Sequence, residues 1–203
     1  MGGKVDIIKE GMLTSADVFA DYVEIGIDSL LDDSIIKEIP VIKTVNSVFK
    51  IGKSINTAFF YKKLITFLVN MNDIGIEERE RFIERYVKDD KDFSEKLLDV
   101  IDKLDENKKS EYLAKIFKCY GKGSIDYSTF RRFCIILTNI YIEDIKFLQN
   151  NIDKEFGGVS AIALMNVGLA INNCLANAEQ MQTENIYCIS KLGERFCNCL
   201  SSS

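Results

Sequence analysis

The side chains that could do chemistry in this chain are carboxylates, lysines, arginines and six cysteines, because histidine is absent. Losing histidine removes the usual general base and the commonest metal ligand. Serine–histidine and cysteine–histidine catalysis are excluded with it. The cysteines are Cys119, Cys134, Cys174, Cys188, Cys197 and Cys199. Only Cys197 and Cys199 are close neighbours, with one residue between them, whereas structural zinc sites space cysteines with about two to four residues between. No metal and no cofactor is expected.

Other short patterns fail on the residues that the chemistry needs. Gly123-Ser124-Ile125-Asp126 has the glycine and hydrophobe of a calcium-binding loop, but Lys118, Tyr120 and Lys122 stand where oxygen ligands belong and Thr129 where a glutamate does. Gly121-x-Gly123 lacks the spacing and the Lys-Ser/Thr of a phosphate loop. The pairs Asp32-Asp33 and Asp89-Asp90 sit at expected helix boundaries, where acids serve as caps.

The most suggestive surface is basic. From Lys37 to Lys63 there are six lysines against Glu38 alone, in a chain of net charge −5. Lys43, Lys50, Lys53, Phe59, Lys62 and Lys63 form the candidate interface, on a basic amphipathic stretch over 41–63. Two readings stay open: contact with an anionic partner or membrane surface, or pairing within the fold against the acidic block 76–106.

Helices must carry these residues. Apolar spacing predicts one over 4–31 (Ile8, Met12, Phe19, Val23, Leu30) and one over 41–56 (Val41, Val45, Val48, Ile55). A third over 57–71 is expected to bury Phe60, Leu64, Phe67, Leu68 and Met71. After a turn at Asn72–Gly75, residues 76–88 show an apolar stripe of Phe82, Ile83, Tyr86 and Val87. Asp92 or Ser94 is expected to cap a helix to Leu104, with Leu97, Leu98 and Ile101 inward. Asp105 is expected to cap another, stopped at Gly121-Lys122-Gly123. One long helix from Asp126 to about Leu148 should turn Phe130, Phe133, Leu137, Ile140 and Tyr141 inward.

The tail differs in character. Residues 156–178 carry no charge over 23 positions, but Gly157, Gly158, Gly168 and four asparagines argue against a membrane span. The expectation is a short buried helix, a turn at Gly168, two short strands including Ile186–Ile189, and a final helix from Lys191. The start, Met1 to Asp6, has no apolar signal region, and Asp6 stands where a myristoylation signal wants Ser or Thr. Reduced, buried thiols and a cytoplasmic location are therefore expected.

Two resemblances add context. Gly168-Leu169-Ala170 followed by Tyr187-x-Ile189-Ser190-x-Leu192-Gly193-x-x-Phe196 resembles the wing and closing helix of bacterial winged-helix domains. Glu179 and Glu184 in that hairpin are wrong for DNA, so the resemblance implies a wing used for packing or protein contact. Leu31-Asp32-Asp33, Lys37-x-Ile39-Pro40, Lys50-x-Gly52-x-Ser54-Ile55, Lys62-Lys63-x-x-x-Phe67-Leu68 and Gly123-x-Ile125-Asp126-Tyr127-x-x-Phe130 resemble an uncharacterised helical bacterial family often encoded near prophage or defence genes. That likeness covers about residues 30–150 and implies no known chemistry.

The fold expected is mainly α: a multi-helix bundle over 1–150 with a small α+β, winged-helix-like tail over 151–203. The function expected is non-enzymatic binding of another macromolecule, a protein above all, in bacterial defence or phage–host conflict. The alternatives are a membrane-peripheral protein using residues 41–63, or a weak DNA-binding regulator. The acidic net charge disfavours nucleic acid as a partner.

Overall fold

A computed structural model describes residues 7–13, 55–71, 73–173 and 186–201. It is mainly helical, with nine helices and a small two-stranded antiparallel sheet near the C-terminus among those residues. The expected helix ends at Leu31–Ser34, the helix over 41–56 apart from its last two residues, and Phe19, Val23 and Leu30 lie outside the described residues.

The chain divides into two compact units, one up to Tyr127 and one from Ser128. The division expected near residue 150 falls inside the second unit. The helix that ends at Asn150 packs on the next helix, so a cut there would separate neighbouring elements that share a core.

The first unit holds α1 (Ile7–Leu13), α2 (Ile55–Val69), α3 (Ile76–Asp89), α4 (Phe93–Lys103) and α5 (Lys108–Gly121). Helix α2 and the turn after it bury the five residues that the spacing predicts, Phe60, Leu64, Phe67 and Leu68 on the helix and Met71 on the turn. Helix α5 packs against α2 and α3 and is buried on most sides from Tyr112 to Tyr120. Its Phe117 sits at the centre of an aromatic cluster, edge-on to Phe67 at 5.7 Å and to Phe82 at 6.0 Å. Such edge-to-face contacts add to what area burial alone supplies. Buried Arg79 ties this unit's start together, with Nε donating to Ile74 O (2.9 Å) and Nη1 to Met12 O (3.1 Å).

Several local expectations change here. Val87 is half exposed, at 50%, and leaves the stripe to Phe82, Ile83 and Tyr86. Asp105 does not cap α5, which starts three residues later. Its carboxylate instead meets Lys109 Nζ at 2.6 Å.

The second unit holds most of α6 (Tyr127–Asn139), then α7 (Ile142–Asn150), α8 (Val159–Asn166), β1 (Ala170–Asn172), β2 (Tyr187–Ile189) and α9 (Lys191–Ser201). The single helix expected over 126–148 is two. Thr138 Oγ1 and Asn139 Nδ2 both donate to Ile135 O, at 2.9 and 2.7 Å, competing with the helix's own bonds. Tyr141 then takes an extended backbone as the residue before α7, and the residue is 69% exposed and not inward. Phe130, Phe133, Leu137 and Ile140 are buried as their spacing predicts.

Strands β1 and β2 pair Ala170 with Ile189, Ile171 with Cys188 and Asn172 with Tyr187. Phe156 extends the pairing through mutual 2.9 Å bonds with Tyr187. Gly168 enters β1 from α8 with φ +82°, a conformation that a side chain would strain. Phe133 and Phe196 close the core, edge to face at 5.1 Å. Strands β1 and β2 and the helix that starts at Lys191 are the portions of the winged-helix likeness that fall on described residues; the segment joining the strands lies outside them.

An arginine-lined groove beside an uncharged helix

Of the six residues that the sequence nominates as an interface, three lie outside the described residues: Lys43, Lys50 and Lys53. The other three are on α2 and do not share one exposed face. Phe59 is 37% exposed and Lys62 half-buried. Lys63 is a correction, at 2% exposure. Its Nζ donates to Asp102 O (2.5 Å) and Leu104 O (2.7 Å) and lies 4.8 Å from the Phe59 ring centre. Burial pulls its pKa down, and the charges of Asp102 and Asp105 pull it back up. Lys63 therefore closes the C-terminal carbonyls of α4, the favourable place for a cation. For this residue the internal pairing holds, and its charge is not offered to a partner.

A second charged cluster is also internal. Tyr120 donates to the Asp89 carboxylate at 2.6 Å, and Tyr127 donates to Asp90, which also holds Lys96 at 2.5 Å. The hydrogen bonds from Lys96 and Tyr127 bring Asp90 down to about 2. Burial first, and then the Asp89 bond, push the Tyr120 phenol up. Arg85 lies over the Tyr120 ring at 5.1 Å. These groups satisfy one another around α3, α4 and α5.

The surface that stands out belongs to the second unit. Helix α6 buries Phe130, Phe133, Cys134 and Leu137, which turns Ser128, Arg131, Arg132, Ile135 and Asn139 outward. These five, with Ile136 beneath and Asn166 and Val167 from the end of α8, line an open groove of about 610 Å³. Ile135 is 59% exposed there. Among the described residues, no carboxylate lines the groove. Burial pushes the Cys134 thiol up to about 12 against the pull of Arg131, so it stays protonated and is not a nucleophile.

Helix α8 continues the same surface. It is not the buried helix that its composition suggests. Ala161 and Leu164 face inward, while Val159 is 85%, Ile162 46% and Met165 36% exposed. At about 100° per residue, Val159, Ile162 and Asn166 share one face, and Asn166 reaches the groove. Arg131, Arg132, Ile135, Val159 and Ile162 were not singled out from sequence. The signal for the first three is the 128, 131, 132, 135, 139 spacing opposite the phenylalanines of α6.

Among the described residues, no group of three or more cysteines and acids gathers as a metal would need, and no helix is long and apolar enough to cross a membrane. Comparison with protein families, with curated proteins and with solved structures found no match to this chain.

Proposed function

We propose that the protein is a non-enzymatic binding module that recognises another protein through its second unit. The observation that carries this reading is the uncharged helix α8, which leaves Val159, Ile162 and Met165 in solvent beside the groove. Grouped exposed apolar residues on a surface helix mark contact sites more often than chance exposure does. Exposed Arg132 at the groove suits such an interface, because arginine is enriched among hot spots. The setting we propose, bacterial defence or phage–host conflict in the cytoplasm, rests on the sequence resemblance alone. The burial of Lys63 removes one charge from the membrane-surface alternative.

The test is a photocrosslinking residue placed at Ile162 in cells of the native host. A protein adduct that disappears in Val159→Asp supports the reading. Adducts to nucleic acid or lipid alone, or none, would overturn it.

A further inference from the structure

Resting on that protein-binding reading, we infer that the protein molecule bound at α8 is a second copy of this chain, in a two-fold contact that sets Val159 of each copy at the groove of the other and Asp153 of each copy against the other's Arg132.

The two ends of α8 differ in charge. The chain enters it through exposed Asp153, Lys154 and Glu155, a stretch that is net negative. Glu155 Oε1 accepts from Asn173 Nδ2 at 2.6 Å, which ties this acidic approach to the end of β1. At the other end of α8, Asn166 and Val167 meet exposed Arg132 in the groove. Between the ends, the outward face of Val159, Ile162, Ala163 and Asn166 carries no charge. The surface is acidic at one end, apolar along its length and basic at the other.

A two-fold contact pairs a surface with itself. A patch of one sign repels its own copy, whereas a patch with opposite ends attracts it when the two copies run antiparallel. Laid antiparallel, the Asp153 end of one α8 faces the Arg132 end of the other, and the same contact recurs across the axis. Guanidinium and carboxylate suit each other there through paired hydrogen bonds. Val159, 85% exposed, comes to the groove beside Ile135, 59% exposed. The small side chain of Ala163, near the middle of the face, lets the helices approach. The second unit as a whole does not oppose its own copy, because from Ser128 onward the chain has six basic and seven acidic residues, and most of the net −5 lies before it. The contact is small, since the eight residues of α8 span about 12 Å. The dimer is therefore weak and forms in the micromolar range.

Sedimentation velocity on the full chain from about 1 µM to about 300 µM tests this. The mass is expected to move from one chain to two as concentration rises, and less readily at high salt. Val159→Asp, R132E and D153R should each raise the dissociation constant about tenfold or more. The R132E/D153R variant again sets opposite signs against each other and should return to within about threefold of the wild type. A folding defect from either single change would not be reversed by the other. Lys91→Glu, at an exposed turn, should lose nothing. A single-chain mass at every concentration, a species that grows beyond two copies, or an R132E/D153R variant no better than R132E would each overturn the inference. The crosslink at Ile162 separates it from the reading beneath it. An adduct of two copies supports both, whereas an adduct with a different protein alone keeps protein binding and sinks the dimer.

Discussion

Lys63 and Asp90 show how single residues acquire roles that their types do not announce. A lysine at 2% exposure survives inside the first unit because two carbonyls at the end of α4 accept hydrogen bonds from its Nζ. Removing or inverting one partner of a buried charged contact leaves the other uncompensated. Lys63→Glu is therefore expected to destabilise the fold by about 3 kcal/mol or more. Lys62→Glu, next to it and half-buried, should cost much less. Thermal melts of the two variants check the contrast, and similar melting temperatures would refute the buried assignment. Asp90 gives a pH dependence with a definite sign. Its carboxyl lies at about 2 against an ordinary value of 3.8, so the unfolded chain holds the proton more tightly. The stabilisation is complete above 3.8 and is lost as pH falls toward 2. Asp90→Asn should lower the melting temperature at neutral pH and flatten its fall between pH 4 and 2, measured by melts across pH. A variant with an unaltered acid profile would show that Lys96 and Tyr127 do not act through this carboxylate.

At the scale of elements, the junction between the hairpin and α9 is a network of short links. Ser190 Oγ accepts from Gly193 N–H at 2.9 Å and donates to Gly168 O at 2.7 Å, so one hydroxyl caps α9 and holds the turn into β1. Ser190→Ala is expected to cost about 1 kcal/mol, the usual loss for such a cap, read by chemical denaturation. Gly193 is there for lack of space. A Cβ would lie 2.2 Å from Leu169 O and 2.8 Å from Ile189 Cγ1. The carbonyl belongs to the backbone and cannot swing aside, so Gly193→Ala should cost about 3 kcal/mol and disturb the tail. Gly75→Ala, with nothing within 4 Å, is the control and should be near neutral. The α6–α7 break works the other way, because Thr138 and Asn139 claim the Ile135 carbonyl and end the helix before Tyr141.

For the molecule as a whole, the prediction separates folding from recognition. Val159→Asp and Ile162→Asp change residues that are 85% and 46% exposed, so each should shift stability by no more than about 0.5 kcal/mol. Both should nonetheless abolish partner binding. A drop in melting temperature would mean that α8 is covered within the fold, and retained binding would remove this face from the interface. Periodicity, caps and turn glycines by themselves determined the mainly helical class, the burial of Phe60, Leu64, Phe67 and Leu68 on α2 and of Leu97, Leu98 and Ile101 on α4, the stop after Gly121, the turn at Gly168 and the start of α9 at Lys191. These are local matters, fixed by spacing of about 3.6 residues and by backbone geometry. Which face of a helix meets solvent was decided only by tertiary structure, because burial depends on what lies opposite. The uncharged α8 looked buried and is half open, Lys63 looked like surface and caps α4, and Tyr141 looked inward and lies in solvent. The groove itself joins residues 128–139 to 166–167, and no local pattern in a single sequence encodes that meeting of two separate helices.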